Sequence, residues 1–211
     1  MFWAGLAGQR GEPAVGVAGV LVGRSAELAL VGAFAERVRT GGEALLLFGE
    51  PGAGKTVLLD VAAGAAAEAG AWVLRAAGVE FEADLAYSGL HQVLLPLLGE
   101  FGQLSAAHRD ALNVALGYGE GPVPDRLLVS AATLTVLRRA AAGRPVLVIV
   151  DDLPWLDRAS AGVFGFVARR LAGSRVGFLA ASRTGGESFF ERAGLARLEL
   201  GRWMRRRRAA W

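Results

Sequence analysis

One segment, Gly49-Glu50-Pro51-Gly52-Ala53-Gly54-Lys55-Thr56, constrains this chain more than any other. It fits G-x-x-x-x-G-K-[ST] at every fixed position, a glycine-rich loop whose backbone N–H groups cradle phosphate. Lys55 is the only lysine among 23 basic residues. A flexible ammonium stem enters a tight phosphate cradle where a planar guanidinium does not. Glycine keeps Cβ atoms out of the anion's way. Thr56 offers a hydroxyl to Mg²⁺. The flanks agree with the loop. Ala44 to Phe48 reads as a buried strand, and Thr56 to Ala69 as a helix whose positive end faces the anion.

The 211 residues suffice for one α/β domain with a full core, and 53% of them are apolar. Cysteine is absent, which excludes disulfides, thiol catalysis and Cys-based zinc sites. With only His91 and His108 there is no histidine cluster for a transition metal. Both lie in helical stretches and read as structural or exposed. The formal charge is +3, but residues 202–211 hold five arginines and no acid, so without them it falls to −2. The high pI therefore belongs to the tail, and the body has no basic face for nucleic acid. No run of 18 apolar residues suggests a membrane span. Pro13 to Val22 is short, Gly- and Val-rich and preceded by Glu12, so it reads as leader rather than as a signal-peptide core. Access to nucleotide implies the cytoplasm.

The expected organisation is a flexible leader over residues 1–20, a nucleotide domain over 21–200 and an Arg-rich, disordered tail over 201–211. Ser25 is expected to cap a helix running to about Arg39. Ala71 to Ala76 reads as a second strand. Leu90, Val93, Leu94, Leu97 and Leu98 fall at helical spacing. Ser105 caps a helix to Leu116, and Arg126 to Ala142 forms another after a Gly/Pro loop. Val146 to Val150 is the most hydrophobic strand. Asp157 caps a helix to Ala172, followed by strands at Arg175–Ala181 and Leu195–Leu200. Strands alternating with helices imply a parallel sheet covered on both faces. Its ligands bind at the carboxyl ends of the strands.

Val146 to Asp152 is a hydrophobic strand ending in two acids, the Walker B pattern, about a hundred residues after the phosphate loop. Asp151 is suited to holding Mg²⁺, and Asp152 to orienting or deprotonating a water. Arg183 ends the next strand. If that strand lies between the two Walker strands, Arg183 faces a γ-phosphate. Arg24 either approaches an adenine or simply begins a helix.

Leu21 to Leu28, Gly49 to Leu59, Gly89 to Leu94, Pro124-Asp125-Arg126 and Val150 to Asp157 together resemble one group. It is the ATP-binding domain of large LuxR-type transcriptional regulators of actinobacteria, within the STAND/AAA-type P-loop ATPases. The most specific parts are the Walker B extension through Trp155 and Asp157 and the Gly-Leu-His-Gln segment. The resemblance implies a five-stranded ASCE/AAA-like sheet in the order 5-1-4-3-2. It implies an ATP-controlled switch followed by a helical lid, helical repeats and a DNA-binding helix-turn-helix. It places Val22, Gly23 and Arg24 by the base. Gly49, Glu50, Pro51, Gly52, Ala53, Gly54, Lys55, Thr56 and Val57 surround the phosphates, with Thr56 and Asp151 on Mg²⁺. Lys55, Asp152 and Arg183 take the catalytic roles. Pro154 departs from the pattern, since relatives commonly carry His there. The chain stops where the lid is expected to begin, and its Arg- and Trp-rich end suggests a truncated or out-of-frame product.

These readings point to an ATP-binding, weakly hydrolysing regulatory domain. It has ATP and ADP as ligands, self-association through the ATPase domain, DNA contact only through a region absent from this chain, and no membrane contact. Two alternatives share the loop: a small-molecule kinase, and a non-catalytic fragment that binds ATP poorly.

Overall fold

The computed structural model describes residues 24–183 and 194–201. The expected leader, Val22, Gly23 and the arginines from Arg202 onward lie outside the described residues. Helix α1 (Ser25–Val38) leads through β1 (Glu43–Gly49) to α2 (Lys55–Glu68) and β2 (Trp72–Ala77). A helical segment follows, made of α3 (Ser88–Leu94), α4 (Ala106–Ala115) and α5 (Arg126–Gly143). Strand β3 (Val146–Asp151), helix α6 (Arg158–Ala168), β4 (Val176–Arg183) and β5 (Ala196–Leu200) complete the chain order.

The five strands form one parallel sheet in the order β2-β3-β4-β1-β5, the order expected from the sequence. Side chains alternate across it with the two-residue period of a strand. Leu45 and Leu47 of β1, with Leu147 and Ile149 of β3, pack under α1 and α2 against Phe34, Leu58 and Leu59. Leu46 and Phe48, with Val146, Val148 and Val150 of β3 and Phe178 of β4, face the opposite layer, where Leu90, Leu137 and Phe164 close the core. Burial on both faces explains why β1 and β3 read as unbroken apolar runs. Each buried Leu, Val or Phe here is worth roughly 1.5–3 kcal/mol relative to an exposed one.

The register brings the working ends of three neighbouring strands together. Gly49 of β1 lies beside Arg183 of β4 on one side and Leu200 of β5 on the other. Strand β4 separates β1 from β3, as the placement of Arg183 requires.

Two local expectations are corrected. Ser25 is not the cap of α1 but its first residue. Arg24 occupies the cap position without a side-chain cap bond, its carbonyl accepting from Leu28 N–H at 2.9 Å. The apolar run from Leu90 is not one helix. It tightens into a 3₁₀ stretch over Leu95–Gln103, with Pro96 near its start. Proline has no N–H to continue an α-helical ladder and clashes with the preceding turn. Two cap readings hold: Ser105 accepts from His108 N–H and Asp157 from Ser160 N–H. Asp125, at the end of the Gly/Pro loop, also caps α5, accepting from Leu127 and Leu128 N–H.

Candidate functional site

The phosphate loop folds as its glycines require. Gly52 and Gly54 have φ of 79° and 87°, a left-handed conformation that costs glycine no steric penalty. Gly54 is the cap residue of α2, so this 14-residue helix begins with no side chain bonded to its first N–H groups and no acid in its first turn. Helices α4, α5 and α6 each have a Ser or Asp in that place. The amino end of α2 thus keeps its positive potential and its unpaired donors facing the loop.

Lys55 is buried, and its Nζ donates to the carbonyls of Gly49 at 2.8 Å and Glu50 at 3.1 Å. The ammonium therefore sits inside the curl of the loop, held by acceptors that an anion can replace. Burial pulls its pKa below the ordinary lysine value. Asp151 and Asp152 oppose that shift, while Arg183 adds to it.

Thr56 Oγ1, on the first turn of α2, donates to Asp151 Oδ2 at 2.7 Å, joining the two motifs across 95 residues of sequence. The other Asp151 oxygen accepts from the Asp152 N–H at 2.8 Å. Asp152 has φ 48° and ψ 52°. That left-handed conformation is uncommon for a residue with a Cβ, and such strain collects at functional sites. The turn sets the Asp152 carboxylate 3.8 Å from Arg183 Nη2, with both side chains nearly half exposed. A cavity of about 220 Å³ opens beside Thr56 and Asp151, and Asp60, Arg75 and Gln92 also line it.

The Thr56 hydroxyl and the Asp151 carboxylate fit Mg²⁺ chemically. They are two hard oxygen donors within hydrogen-bond distance of each other, beside an anion-binding loop. Mg²⁺ is commonly held by one or two protein oxygens together with substrate phosphates. Among the described residues no group of three or more His, Cys, Asp or Glu forms a dedicated metal cage.

Of the remaining expected residues, Pro51 and Gly52 are exposed on the loop, Ala53 is buried, and Val57 is half-buried on α2 against the α1 side of the core. Arg24 is only 5% exposed. Its guanidinium is spent on Glu27, on the Ala53 carbonyl and on the carbonyl of Gly201. Val22 and Gly23 lie outside the described residues.

Three residues that sequence reasoning left without a site role shape the Walker B turn. Gly78 N–H donates to the Asp151 carbonyl at 3.0 Å. A Cβ on Gly78 would stand 2.3 Å from the Asp152 carbonyl oxygen and 2.6 Å from the Leu156 nitrogen. Gln92 clasps the end of β2, its amide accepting from Ala77 N–H at 3.0 Å and donating to Ala77 C=O at 3.2 Å. Asp157 does more than cap α6, for it also accepts from the N–H groups of Tyr87 and Gly89 at the start of α3. A glycine directly after a strand was the one sequence signal for Gly78. The Gly-Leu-His-Gln segment carried Gln92 only as a resemblance.

Residues 20–179 match the family model described as AAA ATPase domain. The chain belongs to the AAA ATPase domain family. No curated protein matches its sequence. Among solved structures, this AAA domain is similar to Drosophila ORC bound to DNA, at 20% identity and a TM-score of 0.53, over 89% of this chain and 45% of that one. It is also similar to the E. coli MS115-1 HORMA:CdnC:Trip13 complex (16% identity, TM-score 0.52, 87% of this chain and 65% of that one). A third is CDC6P from Pyrobaculum aerophilum (16% identity, TM-score 0.51, 85% and 45%). The AAA domain spans about half the length of several of the solved proteins it matches. At these identities the likeness is one of fold. No helix among the described residues is long and apolar enough to cross a membrane.

Proposed function

We propose that this AAA domain binds ATP together with Mg²⁺, hydrolyses it slowly, and serves as the regulatory ATPase domain of a LuxR-type transcriptional regulator in the cytoplasm. The observation that carries the nucleotide reading is the convergence of three features. They are the uncapped start of α2, the buried Lys55 ammonium resting on exchangeable carbonyls, and the Thr56–Asp151 pair on a neighbouring strand end.

In this reading residues 21–200 are the nucleotide domain. Lys55 exchanges the Gly49 and Glu50 carbonyls for phosphate oxygens. The N–H groups from Gly52 to Thr56 surround the anion, while Val22 and Gly23 lie toward the base and Val57 supports the first turn. Thr56 and Asp151 would hold Mg²⁺, which when bound neutralises charge on the β- and γ-phosphates. Asp152 orients a water and takes its proton. Arg183, at the end of β4, meets the charge that builds on the γ-phosphate.

The regulatory role rests on the resemblance of the Walker B extension and the Gly-Leu-His-Gln segment. In those segments Gln92 holds the end of β2 beside Asp151, and Asp157 joins the start of α3 to the start of α6. DNA contact is assigned to a separate helix-turn-helix region, because the body of this domain carries a formal −2 without residues 202–211. Self-association through the AAA domain is part of the same reading.

Calorimetric titration of Lys55→Ala tests the nucleotide site. Removing a charged contact costs about 1.5–3 kcal/mol, roughly ten- to a hundredfold in affinity. Unchanged affinity for Mg²⁺–ATP would reject it.

A further inference from the structure

Arg24 is the one buried arginine among the described residues, and its three acceptors come from three separate stretches of chain. Nη1 donates to Glu27 Oε1 at 2.7 Å in the first turn of α1. Nη2 donates to the Ala53 carbonyl inside the phosphate loop at 3.1 Å, and also to the carbonyl of Gly201, the residue after β5. The latter two acceptors lie 29 and 177 residues away in sequence.

The place where they meet is tightly packed. Gly49 pairs with Leu200, and a Cβ on Gly49 would touch Ala53 Cβ and the Leu200 carbonyl at 3.0 Å each. The loop and the end of β5 therefore pack directly against each other at Gly49. Glu27 keeps the buried cation compensated, and Arg24 in turn holds the Glu27 carboxyl below its ordinary pKa. Breaking a buried pair by removing one partner is costly, because it leaves the other uncompensated. A lysine offers a point charge on one stem, whereas the guanidinium fork serves several acceptors in a fixed plane.

We infer that Arg24 is a positioning residue that fixes the phosphate loop through the Ala53 carbonyl and ties it to the chain leaving β5 at Gly201. A change in the loop on anion binding is then felt at Gly201, and a pull on Gly201 is felt in the loop. This inference rests on the nucleotide reading but differs from a contact to the base. A positioning role acts on the phosphate cradle, so it weakens ligands with and without a base alike.

The experiment measures binding of Mg²⁺–ATP and of Mg²⁺–tripolyphosphate, which has no base, to the full chain and to Arg24→Met. The expected result is a loss of about tenfold or more in both, by the same factor. In the absence of ligand, amide hydrogen exchange over residues 198–201 should rise in Arg24→Met. In the unmodified chain it should fall when tripolyphosphate is added. If Arg24→Met does not fold, Glu27→Gln and Arg24→Lys take its place, each with a smaller loss that is again equal for the two ligands. A loss confined to ATP would overturn the inference in favour of a base contact. Equal binding by variant and unmodified chain, with unchanged exchange at 198–201, would overturn it outright. Failure of the unmodified chain to bind either ligand would instead reject the nucleotide reading.

Discussion

Asp157→Asn changes one atom in the most connected buried carboxylate of the described residues. Asp157 is 2% exposed. Its Oδ1 accepts from Tyr87 N–H at 2.8 Å and Ser160 N–H at 2.8 Å. Its Oδ2 accepts from Gly89 N–H at 3.0 Å and from the Ser88 hydroxyl at 3.3 Å. Asparagine has one oxygen and one NH₂ group. With the oxygen kept in the Oδ1 position, the NH₂ faces the Gly89 N–H, donor against donor, in a buried place. The Ser88 hydroxyl can turn and accept, but the Gly89 amide loses the acceptor it has at Oδ2. One buried donor left unpaired costs about 1–3 kcal/mol. The lost negative charge at the start of α6 adds roughly 0.3–1 kcal/mol. Relief of carboxylate desolvation opposes both, but four donors already compensate that charge, so the unpaired amide dominates. The expected net loss is about 1.5–3 kcal/mol out of a typical total near 5–15 kcal/mol. Urea denaturation followed by circular dichroism measures it as a lowered midpoint with an unchanged slope. A loss below about 0.5 kcal/mol would show that Tyr87, Gly89 and Ser160 find other partners, and that Asp157 is not the joint between α3 and α6.

Three further outcomes follow from the site. Asp151→Asn should weaken the Mg²⁺ dependence of ATP binding, whereas Asp152→Asn should leave binding largely intact and slow phosphate release, because a water-orienting group acts mainly in the transition state; titrations and a phosphate-release assay showing the opposite pattern would reverse the two roles. Gly78→Ala places a Cβ against three backbone atoms within 2.6 Å, so the Walker B turn must shift; a cost of about 1–3 kcal/mol and slowed phosphate release are expected, and wild-type values for both would refute the close approach. Lys55 has a lowered pKa in the free site, and phosphate oxygens beside Nζ raise it, so binding takes up a proton between the free-site and the bound-site pKa. Affinity for ATP should therefore fall as pH rises through the free-site pKa, by up to about tenfold per pH unit; calorimetry in buffers of different ionisation enthalpy should register the uptake, and an affinity that rose over that range would contradict it.

What the sequence determined is what local pattern can carry. The phosphate loop needs left-handed turns at Gly52 and Gly54, and both glycines are visible as letters. Ser105 and Asp157 announce helix starts because a cap bonds only a few residues ahead. Strands buried on both faces write themselves as apolar runs, so β1, β3 and their order with the intervening helices were legible before any coordinates. Tertiary structure alone decided the contacts that span distant segments. Arg24 was legible as the residue that begins a helix, and it does precede α1, but the carbonyls its side chain reaches lie 29 and 177 residues away. Asp157 was readable as one cap, not as the anchor for amides about 70 residues earlier. Gln92 and Gly78 acquire their roles only when β2 pairs with β3 and brings Ala77 beside Asp151. Hydrogen bonds and close approaches of this kind have no period and no fixed spacing. They depend on which strand ends the parallel sheet sets side by side, and only the folded register fixes that.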